Sequence, residues 1–117
     1  MNEALIEEIK TAYEKLGIAP IRRCYYLHEE GGDSACPLVA LALFHGVVEK
    51  DDPGIELDDG LNVCLEWGSN FLGEDFTWGL MSAWDGHEKI KDDPDYLRGY
   101  TLGLAAAQQL SPRDPPV

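Results

Sequence analysis

The sequence predicts a mainly α protein, a compact bundle of about five helices around a central apolar helix over 37–48, with room for one short β element near 21–27. Three observations carry this expectation. Apolar residues recur at helical spacing from Leu5 to Leu16, the 37–48 segment is apolar nearly all round, and Pro and Gly stand where helices start and stop. At 117 residues and 44% hydrophobic, the chain is long enough to bury roughly two thirds of its unfolded surface. One globular domain over 1–110 followed by a flexible, Pro-rich tail over 111–117 is therefore expected.

Asn2 is placed to cap a first helix with Leu5, Ile6, Ile9, Ala12, Tyr13 and Leu16 on one stripe and Glu7, Glu8, Lys10 and Glu14 opposite, and Gly17 stops it. Pro20 blocks continuation. Ile21 to Leu27 is rich in β-branched and aromatic residues and reads as the one strand. A lone strand leaves its backbone unpaired, so a partner is sought in Glu74 to Met81 or in a second subunit, failing which the segment is extended coil. Glu29 to Ser34 reads as a turn, after which Ser34 or Cys36 caps a helix with Pro37 in its first turn.

That helix, Pro37 to Val48, has no polar face, so it must be covered on most sides and forms the centre of the core. Asp51-Asp52-Pro53-Gly54 is a turn sequence. Asp58 or Asp59 then caps a helix over Gly60 to Phe71, with Leu61, Cys64, Leu65 and Phe71 inward and Gly73 as its stop. Glu74 to Trp84 has mixed periodicity and is read as helix on the strength of Asp75 as a cap. Asp93-Pro94 opens the last helix, Asp95 to Leu110. Its apolar face is expected at Leu97, Tyr100, Thr101 and Leu104, while Gly99, Gly103 and Ala107 form a row of small residues that admits a close neighbour, expected to be the 37–48 helix.

The charge has an address. Of a net −13, the stretch from Asp51 to Asp95 supplies about −11, with thirteen acids against Lys89 and Lys91. Such a field repels phosphate backbones and anionic lipid and attracts basic surfaces, so neither nucleic acid nor membrane is an expected partner. The acidic N-terminus lacks the pattern of a secretory signal. Three cysteines, Cys24, Cys36 and Cys64, with no C-x-x-C spacing fit free thiols in a reducing compartment, which makes the cytoplasm the expected location.

No motif specifies a reaction. The acids between Asp51 and Gly60 lack the ligand order of a calcium loop, and several are needed as helix caps. Cys24, His28, Cys36 and His45 are spaced wrongly for zinc, so neither metal nor cofactor is expected. Gly32-Asp33-Ser34 resembles part of a serine-hydrolase block, but Cys36 stands where the second glycine of a nucleophile elbow belongs. The Gly31-Gly32 turn is a candidate anion cradle surrounded by too many acids. Trp67, Phe71, Phe76, Trp78 and Trp84 beside carboxylates resemble a sugar site, and read more simply as core or interface.

The function expected from these observations is a non-catalytic protein–protein interaction module. Asp51, Asp52, Glu56, Asp58, Asp59, Asp92 and Asp93 would present a basic partner with an acidic surface, in the manner of a small inhibitor or immunity protein. One alternative is a small thiol-dependent enzyme with Cys36 as nucleophile, activated at a helix N-terminus with His28 or His45 as base. The other is a structural domain that self-associates, for example as a homodimer, through aromatics between Trp67 and Trp84.

Overall fold

The computed structural model describes residues 2–49 and 58–114, apart from the side chains of 2, 3 and 58–61. Helix α1 spans Asn2–Leu16 and buries Ile6, Ile9, Ala12 and Tyr13, the stripe its spacing predicts. The amide of Gly17 donates to the carbonyl of Tyr13 at 3.0 Å and closes the last turn.

Three two-residue strands follow: β1 (Ala19–Pro20), β2 (Tyr26–Leu27) and β3 (Ser34–Ala35), in the order β1-β3-β2. β3 pairs parallel to β1, Ala19 opposite Ser34, and antiparallel to β2, Tyr26 opposite Ala35. The continuous strand expected over 21–27 is thus broken. Arg23 occupies the left-handed region at φ 60°, which no extended run tolerates, and only the end of the segment pairs. Its partner is the segment read as a turn and cap, and Glu74 to Met81 is helical. The chain after the last helix returns to this sheet. Ile21 bridges Arg113, the amide of Arg22 donates to the carbonyl of Arg113 at 3.0 Å, and Pro112 is buried, so 112–114 are tied down, while 115–117 of the expected tail lie outside the described residues.

Helix α2 spans Pro37–Phe44, with Cys36 as N-cap and every residue from Pro37 to Leu43 buried. It is the core helix, but four residues shorter than expected. Gly46 at φ 74° is the cause: its amide donates to Leu43 and that of Val47 to Ala42, the paired bonds of a Schellman ending that the chain reaches most easily at glycine. Val48 stays buried in the irregular segment beyond. Helix α3 spans Asp58–Leu72, α4 spans Glu74–Trp84 and α5 spans Pro94–Leu110. Asp93 caps α5, accepting from the amides of Asp95 at 2.9 Å and Tyr96 at 3.2 Å.

The row of small residues on α5 faces α4, not α2. A Cβ on Gly99 would lie 2.0 Å from the carbonyl oxygen of Phe76, one on Gly79 2.1 Å from that of Tyr96, and one on Gly103 2.5 Å from that of Leu80. Glycines from both helices therefore interlock backbone against backbone. This contact rotates α5, so that Tyr96, Gly99, Leu102, Gly103 and Ala106 are buried. The stripe expected to face inward fails: Thr101 and Leu104 are exposed, Leu97 and Tyr100 half-buried. Side-chain size picked the wrong face because the tightest packing uses almost no side chain.

Polar anchors tie the layers together. The Tyr13 hydroxyl donates to the carbonyl of Ala35 at 2.7 Å, and the Trp84 indole Nε1 to that of Ile21 at 2.7 Å, joining α1 and α4 to the small sheet. The Thr77 hydroxyl donates to the carbonyls of Gly68 and Gly73, fixing the α3–α4 turn. The radius of gyration is 13.1 Å, close to the roughly 13 Å of a compact domain of about this length. No helix among the described residues is long and apolar enough to cross a membrane.

Candidate functional site

The acids assigned to partner binding meet different fates. Asp51, Asp52 and Glu56 lie outside the described residues, as do the side chains of Asp58 and Asp59. Asp92 is exposed with Lys89 at 3.8 Å, and Asp93 spends its carboxylate capping α5. Elsewhere in the stretch Lys91 pairs with Asp75 at 2.7 Å, Arg98 pairs with Asp95, and Asp85 accepts from the amide of Arg23 at 2.7 Å. Partial burial pushes the Asp85 carboxyl above its ordinary value, and that amide together with His87, Arg23 and Arg22 opposes the shift. Among the described residues, Glu66, Glu74 and Glu88 are exposed without a cationic partner. The field around 74–95 is therefore weaker than its sequence suggests, and on α3 Glu66 is the one described carboxylate.

Glu66 is followed in α3 by Trp67, which belongs to an aromatic face. Val63, Trp67 and Phe71 stand four apart and so fall along one side of the helix. Trp67 and Phe71 stack with ring centroids 5.0 Å apart, nearly parallel. His45, the C-cap of α2, lies with its ring 5.3 Å from both and meets Phe44 edge-on at 5.7 Å. Its Nε2 pairs with Glu8 of α1. Three helices thus converge on one imidazole. Phe71 is 51% exposed and Phe44 39%, so the surface presents aromatic rings to water instead of hiding them. Phe71 was expected inside, but Cys64 and the tightly packed Gly68 hold the inward side of α3. A Cβ at Gly68 would sit 2.4 Å from Leu38 Cδ1.

Cys36 is at the N-cap of α2 as expected, but it is completely buried. Burial pushes its thiol far above the ordinary value, outweighing the lowering effect of the amides of Val39 and Leu38. Neither histidine proposed as its base is placed to ionise it. His45 is at the far end of α2, about 13 Å along the axis at 1.5 Å per residue, and His28 pairs with Asp33 at 2.6 Å beside the sheet. This is the environment of a structural thiol. The same separation disperses Cys24, His28, Cys36 and His45, and among the described residues no three His, Cys, Asp or Glu side chains gather around a metal position.

Ser34 is buried in β3 and its hydroxyl accepts from the Arg113 guanidinium at 3.1 Å, so it serves as an anchor for the returning chain. Of the aromatics whose sequence pattern resembles a sugar site, Trp84 is core, stacked 6.4 Å from Tyr13, while Trp78 is exposed on α4. Sequence reasoning missed the meeting of Glu8, His45 and Phe44 with α3. The four-residue spacing of Val63, Trp67 and Phe71 was its only local signal. No known protein family, curated protein or solved structure matches the chain.

Proposed function

We propose that this protein is a non-catalytic interaction module that docks on a basic protein surface through the aromatic face of α3 and the acids around it. The observation that carries the reading is Phe71, exposed while it stacks on the half-buried Trp67, with the exposed Phe44 on the other side of His45. Exposed aromatic area is a recurrent anchor of interfaces. Trp and Phe faces also attract Lys and Arg through their quadrupoles. Glu66 precedes Trp67 on α3, and Asp58, Asp59, Asp51, Asp52 and Glu56 add negative charge to the same stretch of sequence. Such a body fits an inhibitor or immunity-type role, covering a cationic working surface. Three free thiols suit a reducing compartment, and the cytoplasm is the location we propose.

Self-association through the same face is the second reading, favoured by the apolar exposure alone. It is the weaker one, since two copies bring net charges of −13 together. The test is retention of an identified basic partner on immobilised protein across a salt series, with wild type, Phe71→Ala and Trp67→Ala. Retention is expected to fall steeply as the Debye length shrinks from about 10 Å at 0.1 M salt to about 3 Å at 1 M, and to be lost in both variants at low salt. Binding indifferent to salt, or equal in wild type and variants, refutes the reading. Sedimentation at two concentrations separates self-association.

A further inference from the structure

A groove of about 490 Å³ runs where α4, α5 and the returning chain meet, and Arg22, Ala83, Leu104, Ala107, Gln108 and Pro112 are among the residues that line it. Its size is within the roughly 300–1,000 Å³ of small-molecule sites. Three observations give it a chemistry.

The first is an unsatisfied donor. Arg22 Nε is buried without a hydrogen-bond partner among the described residues, and leaving such a group unpaired is costly. The nearest acid is Asp114, whose Oδ1 stands 3.9 Å away, too far for a hydrogen bond, on a side chain that is largely exposed. The second is a second guanidinium. Arg23 is held at φ 60° by Asp85, its amide donating to the carboxylate at 2.7 Å and its Nε to the main-chain carbonyl at 3.1 Å. This places Arg23 Nη2 and Arg22 Nη1 each 3.7 Å from the position a Cβ on Gly86 would take, so both charges flank one spot at the groove. Backbone strain at a residue other than glycine persists only where surrounding contacts impose it, and is found where geometry is used. The third is the wall. Leu104 is 46% exposed, and with Ala83, Ala107 and Pro112 it offers an apolar surface beside the charge.

We propose that this groove binds a small organic carboxylate with an apolar body, the carboxylate taking the Nε–Nη fork of Arg22 in place of Asp114 and the body covering Leu104 and Ala107. A planar carboxylate matches the guanidinium fork with two parallel hydrogen bonds. Asp85 and Asp114 next to the site, on a chain of net charge −13, disfavour a dianion, so a monocarboxylate is selected over a phosphate monoester. Gln108 is available as a neutral donor at the rim. This site is independent of the aromatic face of α3, and neither stands or falls with the other.

The test is a ¹H–¹⁵N NMR titration of the full chain with phenylacetate, run in parallel with 2-phenylethanol and phenyl phosphate. Phenylacetate is expected to shift Gly86, Leu104, Ala107 and the Arg22 Nε–H saturably, and to bind at least tenfold tighter than the other two. R22Q should lose tenfold or more, and D114N, which removes the competing internal carboxylate, should bind several-fold tighter. Equal binding of acid and alcohol, no saturable shift at these residues, or full affinity in folded R22Q overturns the site. Should R22Q not fold, D114N decides: tighter binding supports the site, and unchanged or weaker binding overturns it.

Discussion

Replacing Gly99 with alanine sets two effects of opposite sign against each other in one position. Alanine is the better helix former by about 1 kcal/mol, and position 99 is in the interior of α5. Helix propensity alone therefore predicts a more stable protein. The added methyl, however, would lie 2.0 Å from the carbonyl oxygen of Phe76 and 2.8 Å from its carbon, where Cβ atoms essentially never come within 3.0 Å of a neighbour. Relief demands that α5 retreat from α4 by about 1 Å, because the obstacle is backbone and cannot rotate aside. The retreat also loosens the neighbouring contacts at Gly79 and Gly103, which share the interface. Overpacking typically costs about 1–3 kcal/mol, and a backbone collision belongs at the upper end. Subtracting the propensity gain leaves a net loss of about 2 kcal/mol, or about 8 °C in Tm at roughly 4 °C per kcal/mol. Urea unfolding followed by far-ultraviolet circular dichroism and by tryptophan emission, to which buried Trp84 contributes, measures it. Gly31→Ala is the control: nothing lies within 4 Å of its Cβ position, and the variant should be neutral or slightly stabilised. A Gly99→Ala protein as stable as wild type, or more stable, refutes the interlocked α4–α5 contact.

Further outcomes follow from the same contacts. Trp84→Phe leaves the buried carbonyl of Ile21 without its 2.7 Å partner and should cost about 1–3 kcal/mol in urea unfolding, whereas Trp78→Phe on the exposed side of α4 should cost almost nothing. Tyr13→Phe should cost less, because the carbonyl of Ala35 keeps the amide of Ile21 at 3.2 Å when the hydroxyl is removed. Under native conditions a maleimide should label Cys24, which is half-buried, while Cys36 and Cys64 react only as fast as the protein opens; rapid native labelling of Cys36 contradicts its burial. Burial pushes the Cys64 thiol up to about 11 from 9.0. The folded state therefore keeps a proton that the unfolded chain releases above about pH 9, so this contribution is intact below pH 9 and is lost as pH rises through 11. The urea midpoint should decline over that window, with a shallower slope in Cys64→Ala.

Much of the helical architecture was legible because local chemistry dictates it. The α1 stripe, Pro37 in the first turn of α2 and the Asp93-Pro94 start of α5 each act within a few residues, and each is found where the spacing placed it. Legibility failed where the deciding partner is distant in sequence. β3 pairs with β1 and β2 through residues that read locally as a turn, and a two-residue strand has no periodicity to detect. The end of α2 depended on weighing Gly46 against the apolar Val47 and Val48, and backbone geometry prevailed over hydrophobicity.

The candidate surface shows the same division. Composition established that the chain is strongly acidic and that the excess carboxylates lie between Asp51 and Asp95, because charge is counted without coordinates. Which carboxylates are available was decided in part by folding, which brought Lys91 to Asp75 and the amide of Arg23 to Asp85. The sequence by itself determined the helices, their core helix and the sign of the surface, all properties of neighbours along the chain. Only the tertiary structure decided that glycines would join α4 to α5, that Cys36 would be sealed from water, and that Glu8, His45, Trp67 and Phe71 would share one face. Those outcomes depend on contacts between residues tens of positions apart, whose geometry is fixed by packing the whole domain at once.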